Sequence, residues 1–199
     1  MSSIINASTS SGLVQTADTS GTLELQSNGT TMQTISSTGS YGQLVRGAAV
    51  TAAGQTSINF GSIPSWVKRI TIGINALSSS GTSIWLVQLG TAGGIQNTNY
   101  SAGYSAGTTA AASSAGFPIA ANLAAANTYS GICTIVNIGS DLWVASSIIQ
   151  SNAVNVGTIQ GGSKSLGGTL TQLTLTTTNG TDTFDTTPSA GSINILYEG

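Results

Sequence analysis

From Trp66 to Leu77 the sequence reads WVKRITIGINAL, and apolar side chains fall on every second residue. Ile70, Ile72, Ile74 and Ala76 share one face of an extended chain; Arg69, Thr71, Gly73 and Asn75 share the other. A period of two is the mark of a half-buried β-strand. The same period recurs in TSINFGSI (Thr56–Ile63), in TSIWLVQLG (Thr82–Gly90) and in YSGICTIVNIG, where Ile132, Thr134, Val136 and Ile138 alternate. DLWVASSIIQS follows across Gly139-Ser140-Asp141 and is predicted to pair back as a hairpin. NVGTIQGGSKSL reads as a weaker strand with a glycine turn, LTQLTLTTTNGTDTF as a strand rich in β-branched residues, and SINILYEG as a closing strand. No window has a 3.6-residue period with a charged opposite face. AANLAAA (Ala120–Ala126) could make a turn or two of helix.

The first 45 residues differ. Ile4-Ile5 is a short apolar run followed by a Ser/Thr loop. In LELQSNGTTMQTI two extended runs flank Asn28-Gly29, the strongest short-range hairpin signal. Leu23, Leu25, Met32 and Ile35 give that hairpin little apolar surface, and an isolated hairpin is marginal in water. SSTGSYG (Ser36–Gly42) reads as a bend or linker. The predicted organisation is therefore all-β: a β-strand and hairpin segment over residues 1–45, then an antiparallel jelly-roll sandwich over 46–199 of about eight strands.

One stretch does not fit that rhythm. Tyr100–Gly131 is built of small residues and carries YSAG twice, at Tyr100–Gly103 and Tyr104–Gly107. It reads as a long irregular crossover between sheets, or as an exposed receptor loop. Tyr100, Tyr104 and Phe117 within it, with Trp66 after Pro64, are the candidate receptor or glycan contacts. Trp85 and Trp143 lie within strands and read as core or intersubunit residues.

Composition narrows the chemistry. Of the 199 residues only 5% are charged, against about 25% in ordinary soluble domains. Four Lys and Arg cannot build the basic stripe that nucleic acid requires. The net charge of −2 and a mean hydropathy of +0.22 argue against a disordered chain. A nearly neutral polar surface protects poorly against association, which hints that association is intended. No run of about 18 apolar residues suggests a membrane span. MSSIINAS has neither the basic start nor the apolar run of a secretory signal.

There is no histidine, so the usual general base and the commonest catalytic metal ligand are missing. Lys68 and Lys164 are the potential partners for a serine; the first reads as solvated and the second sits in GGSKSLGG, a glycine-rich turn without phosphate-loop spacing. Asp182 and Asp185, with Asn179, form an oxygen-rich TNGTDTFD whose simpler account is an Asx-stabilised turn. Cys133 reads as a small core residue. No catalytic residue, cofactor or metal site is expected.

SIINASTSSGLVQTADTSGTLELQSNGTTMQTI resembles the N-terminal segment of many tailed-phage virion proteins, including tail-fibre and head-fibre-like proteins. FDTTPSAGSINILYEG resembles the closing strand of their jelly-roll domains, and FGSIPSWVKRITIGI and LVQLGTAGGIQNTNYSAGYS look like the same kind of domain. The resemblance implies a homotrimer located in the virion and assembled in the host cytoplasm. It implies an N-terminal part, with Ile4, Ile5, Leu23, Leu25, Met32 and Ile35, attached to capsid or tail proteins. The C-terminal domain would be displayed, with a host-surface glycan as a candidate partner and neither nucleic acid nor membrane insertion involved. A chain of 199 residues is short for a whole tail fibre, which favours a head fibre, decoration protein or fibre tip. The alternatives are a carbohydrate-binding lectin module and, more distantly, a glycan-degrading enzyme.

Overall fold

The computed structural model describes residues 22–36, 39–41, 44–121, 123–125, 127–153, 156–185 and 191–199. Those residues form strands, turns and loops, with no helix among them. The chain divides into two units, Met1–Gln43 and Leu44–Gly199.

In the first unit, β1 (Thr22–Ser27), β2 (Thr30–Ser36) and β3 (Gly39–Tyr41) form an antiparallel meander. Asn28 and Gly29 both take positive φ, 50° and 76°, which is the twist a two-residue hairpin turn demands. Within the stretch expected to be a linker, Gly39–Tyr41 extends and pairs with Thr34–Ser36, because β2 has a free edge there.

The second unit runs through β4 (Leu44–Arg46), β5 (Val50–Thr51), β6 (Ser57–Phe60), β7 (Arg69–Ser79) and β8 (Trp85–Thr91). It continues through β9 (Gly94–Ile95), β10 (Ser101–Ala106), β11 (Thr109–Ser113), β12 (Phe117–Ala120) and β13 (Tyr129–Gly139). It ends with β14 (Leu142–Ser151), β15 (Gly157–Ser165), β16 (Gln172–Thr177), β17 (Phe184–Asp185) and β18 (Ser192–Glu198). The larger sheet has the order β11-β10-β15-β14-β13-β7-β18-β4, the smaller the order β12-β8-β16-β6, and all pairings are antiparallel. This is an all-β sandwich, with more strands than pattern counting suggested, because the chain changes sheet repeatedly.

Its core lies between the sheets. Ile70, Ile72, Cys133, Ile135 and Ile195 from the larger sheet meet Trp85, Val87, Leu89, Leu173 and Leu175 from the smaller one. Trp85 is fully buried and stacks edge-on against Tyr129 and Phe184, with centroids 5.4 and 5.5 Å away. Its indole N–H donates to Ser79 Oγ at 3.1 Å, so the ring's polar atom enters the core with a partner.

Three expectations need correction. Tyr100–Gly131 is neither an irregular crossover nor an open loop: it contains β10, β11 and β12, with the second YSAG running from β10 into its turn at Gly107. Small residues suit this edge because neighbouring backbones approach closely. GGSKS is no turn either; β15 runs straight through it, and Gly161 and Gly162 lie opposite Gly103 and Ala102. At Gly162 a Cβ would come 2.7 Å from Ala102 Cα, so the glycine admits β10. Finally, Ala76 leaves the inner face. It takes φ 50° in a bulge opposite Ser130, whose Oγ accepts its N–H at 2.9 Å, and Leu77 turns inward instead. Of Ala120–Ala126, the described residues show a turn, with Asn127 N–H donating to Ala124 O at 3.0 Å.

Candidate interaction surfaces

On the hairpin, Leu23 lies opposite Ile35 and Leu25 opposite Gln33, so the four side chains share one face. Leu23 and Ile35 remain 40% and 37% exposed. Ile4 and Ile5 fall outside the described residues, and the Met32 side chain is likewise not among those described. The hairpin thus presents a small apolar pair rather than a buried core.

Among the predicted contact residues, Tyr100 and Phe117 belong to the interior. Phe117 is fully buried and Tyr100 is 5% exposed, their rings edge-to-face at 5.0 Å. The Tyr100 hydroxyl accepts from Leu89 N–H at 2.7 Å and donates to Gln96 O at 3.0 Å. A residue so enclosed cannot meet a receptor; it ties β8 to the segment after β9. Burial pushes the Tyr100 phenol up to about 12, with the Leu89 hydrogen bond pulling the other way. Trp66 is half-buried against the core, and Tyr104 is half-buried on the inner face of β10. The four do not form one cluster: Trp66 precedes β7 while Tyr104 lies on β10, near the sheet's opposite edge.

A cleft of about 500 Å³ opens at one end of the sandwich. The β13–β14 turn supplies Ser140 and Asp141, the entry to β7 supplies Lys68, and the β15–β16 connection supplies Thr169. Asn137 holds the turn through its Nδ2, which donates to Ser140 O at 3.1 Å and Leu142 O at 3.3 Å. Trp143 contributes to the lining but is only 4% exposed, so it offers no open ring face. The cleft carries one carboxylate, one ammonium and hydroxyls, which suits a small polar ligand.

Lys164, expected in a turn, is buried on β15. Its Nζ donates to Thr98 O at 2.9 Å and stands 5.1 Å from the Tyr100 ring centroid. Burial holds its pKa below the usual lysine value. The TNGTD turn is organised by Asn179, whose Oδ1 accepts from Thr177 Oγ1 and from the Thr181 and Asp182 N–H groups. Asp182 accepts from Asn179 Nδ2 at 2.7 Å and from Ser83 N–H at 3.1 Å, and these bonds hold its carboxyl below the usual range. Among the described residues, no three acidic, histidine or cysteine side chains converge as a metal site, and no helix is long and apolar enough to cross a membrane.

The sequence reading missed three side chains. Ile132, Ile148 and Ile159 point outward from the larger sheet and are 56%, 65% and 62% exposed. One signal was available: in Ile148-Ile149 both residues cannot face inward on a strand. Comparison with known proteins finds no matching family model, no similar curated protein and no similar solved structure.

Proposed function

We propose that this chain is a non-enzymatic structural protein of a tailed-phage virion, attached through residues 1–45 and displaying its sandwich as part of a homo-oligomer. The observation that carries the reading is the division into a thin three-stranded unit, with Leu23 and Ile35 open, and a sandwich with its own core. A meander with so little apolar surface gains stability when another polypeptide covers it. The resemblance of residues 3–35 to virion attachment segments supports the same reading. The low charge supports it too, since neutral polar surfaces associate without desolvating ions.

Immunogold electron microscopy on purified particles of a phage encoding this chain tests the proposal. Regular label on capsid or tail is expected, and particles lacking the chain would overturn it. The lectin alternative draws on the end cleft with Lys68, Asp141 and Thr169. It expects glycan-array binding that Asp141→Ala abolishes.

A further inference from the structure

We infer that the outer face of the larger sheet, centred on Ile132, Ile148 and Ile159, is where a second copy of this chain docks. The inference rests on the homo-oligomer of the preceding section and names the surface that builds it. Ile132 lies directly opposite Ile148, and Ile148 directly opposite Ile159. The three form one row across β13, β14 and β15, perpendicular to the strands. Together they expose on the order of 300 Å² of apolar surface, comparable to the largest patch on an ordinary soluble monomer, a size that is often functional.

The surroundings identify the occupant. Around the row the outward residues are Thr134 and Val136 on β13, Val144 and Ser146 on β14, and Gly161 and Ser163 on β15. No outward position of β13, β14, β15, β10 or β11 carries a charge. The outward charges of this sheet's strands, Arg46, Arg69 and Glu198, begin on β7, beyond β13, where Arg69 lies opposite Val136 and pairs with Glu198 at 3.4 Å. An ordinary protein surface would have to strip water from its own charges to cover this face. A second copy would not, because it brings the same uncharged face.

Shape and size agree. Shallow hollows flank Ile159 on both sides, one against Ile132 and Ile148, the other over Gly103, Ala110 and Ala112. Small residues in those hollows leave room for isoleucines from a facing sheet. At a strand spacing of about 4.8 Å and a rise of about 3.3 Å per residue, the uncharged strands β13, β14, β15, β10 and β11 offer a face on the order of 650 Å², within the roughly 600–1,000 Å² that each partner of a specific pair buries.

The test is light scattering on the full-length chain, with Ile148→Lys and Ile159→Lys variants checked by circular dichroism. Wild type should elute as an oligomer of the 19.8 kDa chain, and each variant should dissociate at least tenfold more readily with an unchanged spectrum. A wild-type monomer would overturn the inference. So would an oligomer that survives both lysines but is broken by Leu23→Asp with Ile35→Asp, and that result would leave the attachment reading standing. Should a lysine variant fail to fold, Ile148→Cys supplies a second readout, since buried Cys133 stays silent. Its maleimide labelling should be at least tenfold slower than that of a free thiol and should accelerate on dilution. Labelling at the free rate, or protection in a monomer, would overturn the inference.

Discussion

Cys133 shows how one side chain records its surroundings. It is fully buried on β13, and burial alone pushes its thiol from 9.0 to about 12. Tyr100 is displaced in the same sense, from 10.0 to about 12. In both cases the unfolded chain loses its proton at lower pH than the folded one. Between about pH 9 and 12 for Cys133, and about pH 10 and 12 for Tyr100, each group therefore lowers stability as pH rises, by about 1.4 kcal/mol per unit once its unfolded form has ionised. Lys164 has the opposite sign: its lowered pKa means that deprotonation relieves a cost, an effect complete by about pH 10.5. The urea midpoint should accordingly fall steeply above pH 10.5, and Cys133→Ala should flatten that fall. Gly131 offers a steric test. Its φ is 156°, and a Cβ there would strike the Ile148 carbonyl oxygen. Gly131→Ala should cost about 2–3 kcal/mol in urea denaturation.

At the scale of elements, turn chemistry was the most legible part of the sequence. Asn28-Gly29 announced its hairpin, and Gly139-Ser140-Asp141 announced the β13–β14 turn, because positive φ is affordable to so few residues. Gly29→Ala should destabilise the first hairpin by about 1 kcal/mol, read as roughly fivefold faster amide exchange over Thr30–Ser36. Glycine misled where it served packing instead. In β15 the pair Gly161-Gly162 looks like a turn, yet both residues lie within the strand and Gly162 lets β10 lie close. The Tyr100–Gly131 segment misled for a related reason. Its alanines and serines carry little hydrophobic period, although β10 and β11 pair along their length.

The whole molecule depends on the space between its sheets. Phe117 and Trp85 fill that space from the smaller sheet, fully buried. Phe117→Ala should lower unfolding free energy by about 3–5 kcal/mol, through the cavity left beside Tyr100. Replacing the outward Ile148 by Lys should leave monomer stability within about 1 kcal/mol while changing assembly, since that side chain contributes little to the core. A calorimetric comparison of the two variants separates inner face from outer.

The sequence by itself determined that this chain is built of strands, where the sharpest turns fall, and that its surface would be nearly free of charge. Those are local properties: side-chain branching, a period of two, and the φ range of individual residues. Only the tertiary structure decided which face of each strand is covered. β13 and β14 carry isoleucines on both faces, so period alone gives no direction. The partner sheet settled it by enclosing Cys133, Ile135 and Ile149 and leaving Ile132 and Ile148 open. It likewise drew Tyr100 and Phe117 inside, where long-range packing outweighs any local hint of exposure.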